Sequence, residues 1–309
     1  MAVAVVGSIN CDVIVYVERL PRPGETLLAS ACRLGLGGKG ANQAVAARRL
    51  GSAVSLIGRV GDDAFGQAVL GELRRFALDT TLVAVDRDGS TGMAMIHVGA
   101  GGENTIAIVA GGNGALGKAE LDEGRAALQA ARVLLLQLEV PLATSLAAAA
   151  VVRAAGGLAI LDPAPAPVGG LADEVLAAID ILTPNETETA ALTGVLPRSA
   201  DDGVAAARAL RARGAGTAIV KLGARGAAFS GPSGEGFQPA FPVAAIDSVA
   251  AGDCFNGALA HLLARGSSSL ADAVRYAAAA GALSTTRMGA ADAAPSLIEV
   301  ERLLSGHTA

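Results

Sequence analysis

Asp253 lies in the stretch DSVAAGDCFNGALAHLLARG, Asp247 to Gly266, where an acid follows two alanines and a glycine. Phe255, Leu259, Leu262 and Leu263 recur at spacings of three and four, which predicts a helix from about Gly252 to Ala264 with Asp253 in its first turn. Two roles suit an acid there. As a helix cap it would stabilise by about 0.5–2 kcal/mol relative to Ala. Alternatively, the preceding AAG leaves free backbone N–H groups that can cradle an anion, with the carboxylate beside them to take a proton. On this segment alone the cap is the plainer explanation.

A second group of residues with chemical potential is GLGGKGANQA, Gly35 to Ala44. It contains GxGxxG, and Asp62 follows at about the distance of a ribose-binding acid. The dinucleotide fingerprint should close the first core strand, however, and that strand ends at GSINCD. Nor is it a phosphate-binding P-loop, because Lys39 is followed by Gly40 rather than Ser or Thr. What remains is a backbone that a ligand can approach closely, with Lys39 and Asn42 as donors at a helix start, an arrangement suited to a polyhydroxy compound. Further polar residues end apolar runs: Asn10 and Asp12, Glu139, Asp162, and Asn185 with Glu186 and Glu188. Singly each is a loop or cap residue. Together, at carboxyl ends of strands, they point to a site, where paired carboxylates and amides bind adjacent hydroxyls and acids near phosphates hold Mg²⁺ through water.

The elements that must position these residues alternate. Short apolar runs at the amino end and at 54–61, 133–139, 158–164, 179–185 and 217–226 read as buried strands. Ala- and Leu-rich stretches of helical period lie between them, predicting an α/β fold of three layers, Rossmann-like, around a mostly parallel sheet. Residues 13–34 and 91–110 break the rhythm with β-type runs joined by Pro, Gly and Asn. They are expected to form a small antiparallel β-sheet over one edge of the main sheet, a lid on a single domain spanning 1–309 that closes over the site to exclude water.

Composition narrows the partners. The chain has 309 residues, 52% of them hydrophobic, and a net charge of −5. No basic stripe with interleaved aromatics is present, so nucleic acid is not expected as a partner. Cys11, Cys32 and Cys254 form no CxxC pair, and the amino terminus has no basic leader; a reducing cytoplasm is expected, without a disulfide framework, signal peptide or structural zinc. The run from Val133 to Val152 has the length of a membrane span, but Gln137, Glu139 and Pro141 predict a strand, a turn and a helix, and no membrane association. His97, His261 and His307 fit no catalytic spacing and are expected to be structural or superficial.

Three signatures in order, GGKGANQA, TPNETE and DSVAAGDCFNGA, resemble those of the ribokinase-like (PfkB) carbohydrate kinases, and the similarity runs over nearly the whole chain through VGDDAFG and GENTIAIVAGGN. The resemblance implies the ribokinase-like fold and phosphorylation by ATP of the 5-hydroxyl of D-ribose. 2-Deoxyribose, fructose or a nucleoside are alternative substrates, and a non-catalytic sugar binder on the same scaffold is an alternative of another class. It reverses the preference for a cap. Asp253 would be the general base, with the N–H groups of Ala251, Gly252 and Asp253 as the anion hole. Asn10, Asp12, Gly38, Lys39, Asn42 and Glu139 correspond to the sugar-binding set. Asn185 and Glu188 match an N-x-x-E element that arranges Mg²⁺ and phosphates through water, and Lys221, Gly223 and Gly226 match the loop meeting the nucleotide. Asp247 and the Val249 carbonyl, continued near Ser284, Arg287 and Gly289, correspond to a site for a monovalent cation, K⁺ in the first instance. A homodimer through the lid is implied. Departures from the family pattern are Cys254 in place of Thr, Ala278 where some members have a His against adenine, and Ala293 where many have a Ser near the cation.

Overall fold

Val3 and Val5 of the first strand, β1 (Ala2–Val6), enter one apolar core while Ala4 and Val6 enter another. That period of two is what a strand covered on both faces requires. The computed structural model describes residues 2–101, 103–266 and 268–306; His307 lies outside them. After β1 come β2 (Asn10–Val17), β3 (Ala31–Gly37), β4 (Ala53–Gly61), β5 (Val83–Asp86), β6 (Gly92–Gly99) and β7 (Asn104–Val109). The remainder are β8 (Val133–Leu136), β9 (Leu158–Leu161), β10 (Ile181–Leu182), β11 (Thr217–Lys221), β12 (Gly226–Gly231) and β13 (Gly234–Pro239).

A nine-stranded sheet takes the order β13-β12-β11-β10-β9-β8-β1-β4-β5. It is parallel from β11 to β5, with β12 and β13 added antiparallel at one edge. Helices Lys39–Arg49, Ala64–Arg75, Ala251–Leu263 and Leu270–Ser284 cover one face, over the core holding Leu135 and Ile219. Helices Leu142–Ala154, Glu186–Thr193 and Ala200–Ala212 cover the other, over Leu134 and Val220. The three-layer α/β architecture is therefore the one read from the sequence.

A separate four-stranded sheet has the order β3-β2-β6-β7, with β2 and β6 parallel and the outer pairs antiparallel; it is mixed rather than antiparallel as expected, because β3, β4 and β5 intervene between β2 and β6 and no hairpin joins them. Only Gly7, Ser8 and Ile9 separate β1 from β2, so this sheet springs directly from the carboxyl end of a central strand. One strand boundary also needs correction. The strand read over 217–226 stops at Lys221, because Gly223 adopts φ 53° in a short turn before the chain reverses into β12. The β12–β13 hairpin and the short β5 have no counterpart in the sequence reading. The run from Val133 to Val152 divides into β8 and the helix Leu142–Ala154, and among the described residues no helix is long and apolar enough to cross a membrane.

Candidate active site

The helix Ala251–Leu263 begins without a side-chain cap, after Ala250 in a left-handed conformation at φ 56°. Asp253 is not turned to its own helix end. Its Oδ1 accepts a hydrogen bond from Gln43 Nε2 at 3.0 Å and its Oδ2 one from Asn42 Nδ2 at 3.2 Å. The Ala251 N–H donates to Ser248 O at 3.3 Å and that of Cys254 to Ala250 O at 2.9 Å, leaving the N–H groups of Gly252 and Asp253 without an acceptor among the described residues. Burial raises the Asp253 pKa; Lys39 opposes the rise, Asp162 adds to it, and the Gln43 and Asn42 donors restrain it. A carboxylate made more basic beside free amides can take a proton while an anion forms next to it.

The helix Lys39–Arg49 presses its amino end against the β1–β2 connection. Gly38 has φ 86°, and a Cβ there would lie 2.8 Å from Asn10 N and Ser8 O; one at Gly40 would lie 2.6 Å from the carbonyl carbon of Gly7. These contacts explain the glycines of GGKG sterically. Glu139 Oε2 accepts from Ser8 Oγ at 2.5 Å and from the Lys39 backbone N–H at 3.1 Å. Burial works to lower the Lys39 pKa, but Asp253, Asp162, Glu139 and Glu188 outweigh it and hold the ammonium above its ordinary value. Asp12 is pushed up to about 7, by burial first and then by Glu139 and Asp253. Asn10 Oδ1 accepts from Asn113 Nδ2 at 2.6 Å. Asn10, Asp12, Gly38, Lys39, Asn42, Glu139 and Asp253 thus meet where β1 passes into β2, as an array of hydrogen-bond acceptors and donors.

Across the Asp253 helix start lies a cavity of about 390 Å³ whose walls include Lys221, Gly223, Gly226, Phe241, Gly252 and Ala278. Gly226 has φ 127°, and a Cβ there would meet Gln238 O at 2.0 Å. Asn185 caps the helix Glu186–Thr193 in a reciprocal box: its Oδ1 accepts from Glu188 N at 2.9 Å, and its N–H and Nδ2 donate to the two Glu188 oxygens at 2.7 and 2.8 Å. Burial and then Asp162 raise the Glu188 pKa against the pull of Lys221. Asp247 ties two loops together, accepting from Val249 N at 3.0 Å and Gly289 N at 3.1 Å. Ser284 Oγ donates to Gly281 O at 2.8 Å, and the Arg287 guanidinium pairs with Glu299. Among the described residues no group of three or more His, Cys, Asp or Glu side chains is disposed to hold a metal by itself. The Cys254 thiol is buried and pushed up to about 12, by burial and then by Asp253, so it is inert near neutrality.

Four neighbours of the site carry no role in the sequence reading. Gln43 Nε2 bridges Asp253 and Asp162, and Gln43 Oε1 accepts from Gln137 Nε2 at 2.7 Å. Asn113 clamps Ile9, with Ile9 N donating to its Oδ1 at 2.8 Å. Phe241 is an aromatic wall of the cavity, with the Arg275 guanidinium carbon 5.8 Å from its ring centre. Signals existed: Gln43 and Asn113 stand inside quoted motifs, Gln137 interrupts an apolar strand, and phenylalanines are few in a chain only 3% aromatic.

The chain is similar to known proteins over nearly its whole length. The profile of the pfkB family carbohydrate kinases matches residues 2–297. A ribokinase of Haemophilus influenzae is 38% identical over 300 residues, 97% of each chain. A deoxyribokinase of Salmonella typhi is 37% identical over 305 residues, 99% of each chain. A ribokinase of Arabidopsis thaliana, solved in complex with ribose and ATP, superposes with a TM-score of 0.88 at 34% identity, covering 98% of this chain and 99% of its own.

Proposed function

The chain belongs to the PfkB family of carbohydrate kinases, and on that premise we propose that it transfers the γ-phosphoryl group of ATP to the 5-hydroxyl of D-ribose, giving ribose 5-phosphate and ADP. The observation that carries the proposal is the position of Asp253, between the polar array around Lys39 and the cavity beside Gly252, with two free amides in its turn. The sugar rests on Asn10, Asp12, Gly38, Lys39, Asn42 and Glu139. Asp253 takes the hydroxyl proton as the sugar oxygen forms its bond to the γ-phosphorus; the bond from that phosphorus to the β–γ bridging oxygen breaks, and ADP leaves with the electron pair. The N–H groups of Gly252 and Asp253 face the negative charge on the transferred group, while that of Ala251, held at 3.3 Å by Ser248, contributes least.

Gly223, Gly226 and Lys221 receive the nucleotide from the cavity side, where Ala278 offers no ring to a base and Phe241 and Phe255 are aromatic walls. Mg²⁺ bound with the nucleotide supplies positive charge against its phosphates. Both Glu188 oxygens are already engaged by Asn185, so Glu188 and Asn185 fit such an ion through water rather than directly. Asp247 and the Val249 carbonyl, with Ser284, Arg287 and Gly289 nearby, fit a monovalent cation, taken as K⁺, by joining the loop before Asp253 to the loop after the helix Leu270–Ser284.

The four-stranded sheet would act as the lid and as a homodimer contact. Its face bearing Asp12 also carries Ile106 and Ile108, 57% and 55% exposed in the isolated chain. Three unpaired cysteines agree with a cytoplasmic protein. A second substrate, 2-deoxyribose, is favoured by the deoxyribokinase similarity. ADP release with Mg²⁺ and ATP, with and without K⁺, against ribose, 2-deoxyribose, fructose, adenosine and no sugar tests the assignment. Preference for ribose supports it, preference for another compound moves the specificity, and silence with ribose bound favours a sugar-binding protein.

A further inference from the structure

Lys221 and Asp162 form an ion pair nearly withdrawn from water, Nζ to Oδ1 at 2.9 Å, with side chains 12% and 2% exposed. Desolvation makes such a pair weak as a source of stability, so its presence calls for another reason. The remaining Asp162 oxygen accepts from Gln43 Nε2 at 3.1 Å, and the same nitrogen reaches Asp253 Oδ1 at 3.0 Å. Gln137 holds Gln43 Oε1 at 2.7 Å and so fixes which way the amide faces. A continuous line of polar contacts therefore runs from Lys221 through Asp162 and Gln43 to Asp253. At its far end Lys221 overhangs the start of the Asp253 helix: a Cβ built on Gly252 would stand 3.4 Å from Nζ, on the cavity side.

Resting on the assignment of Asp253 as base, we infer that Lys221 is a further catalytic residue whose ammonium moves from Asp162 to the phosphoryl group in transfer, and that Asp162 and Gln43 are the positioning residues that aim it. A lysine suits this movement, being a compact charge on a flexible stem that needs no planar partner. A phosphoryl group carries more negative charge than one carboxylate and draws the ammonium away from it. Of the other nearby cations, Arg225 pairs with Glu186, and Lys39 is shared among Asp253, Asp162, Glu139 and Glu188, whereas Lys221 makes its ion pair with Asp162 alone among the described residues. No covalent change at Lys221 is involved.

The test uses the full chain with Mg²⁺, ATP and ribose, measuring kcat, KM for ATP, and ribose Kd without nucleotide. Lys221→Met is expected to lower kcat by about 10²–10³-fold, as for loss of one donor to a developing oxyanion, with ribose Kd unchanged. Lys221→Arg should regain at least about tenfold of that loss, because charge is restored without the original geometry. Asp162→Asn should lower kcat about tenfold with little change in KM for ATP, and should add nothing to Lys221→Met, because it acts through the lysine. The double variant also removes both members of the buried pair, so it tests the proposal if Lys221→Met alone does not fold. A kcat for Lys221→Met within about threefold of wild type, or additive losses in the double variant, would overturn the inference and leave the kinase assignment standing. A wild type without turnover on any sugar would remove both.

Discussion

Sugar affinity should depend on pH through Asp12. Burial, Glu139 and Asp253 push this carboxyl up to about 7, so near pH 6 most of it is protonated and near pH 8 most is ionised. If the ionised form accepts the sugar hydroxyls, the apparent ribose Kd tightens about tenfold from pH 6 to pH 8, equivalent to about 1.4 kcal/mol. Stability runs the other way. The folded pKa lies above the unfolded 3.8, so the contribution of this group is full below pH 4 and is lost as pH rises through 7. The free protein should lose about 1.4 kcal/mol of unfolding free energy over the interval in which sugar affinity rises. Titration calorimetry with ribose at pH 6, 7 and 8, in buffers of different ionisation enthalpy, reads both the Kd and a proton released on binding near pH 6. Asp12→Asn should bind weakly and without the pH step. A wild-type Kd flat across this range would refute the reasoning, and a step that survives in Asp12→Asn would move the titration to another carboxyl, Asp253 first.

Gly40→Ala places a Cβ 2.6 Å from the Gly7 backbone and should cost about 1–3 kcal/mol by overpacking, visible as a lowered Tm, and should weaken ribose binding more than ATP binding. Phe241→Ala removes an aromatic wall of the cavity; a contact of this kind is worth about 0.5–1.5 kcal/mol, so KM for ATP should rise about 2- to 12-fold while ribose Kd holds. Ile106→Glu places a charge on the exposed apolar face of the small sheet; sedimentation equilibrium is expected to show dimers for the wild type and monomers for the variant.

Local pattern and long-range geometry were not equally legible. The strand–helix alternation and the position of Asp253 follow from periodicities of two and about 3.6, which act over a few residues and survive in the bare sequence. The glycines of GGKGANQA were visible as a device, but their reason, a helix end pressed on Gly7 and Ser8, exists only after folding. The partners of Asp253 illustrate the gap best. Gln43 lies 210 positions away, and nothing local distinguishes its amide from that of any helical glutamine. The Asp162–Lys221 pair bridges strand ends separated by 59 positions, and each residue separately reads as a loop or strand terminus. The β12–β13 hairpin escaped for a related reason: its inner strand is buried and carries a short, Ala- and Gly-rich run with little alternation.

The central claim is that Asp253 removes the sugar proton. Rapid-quench phosphoryl transfer from ATP to ribose by wild type and Asp253→Asn, with ribose and ATP titrations on the same preparations, tests it most directly. The amide can still meet Asn42 through its oxygen, so both ligands are expected to bind within a few-fold of wild type while transfer slows by about 10²–10⁴ or more. Transfer by Asp253→Asn within about tenfold of the wild-type rate would contradict the account, because no such positioned base would then be required.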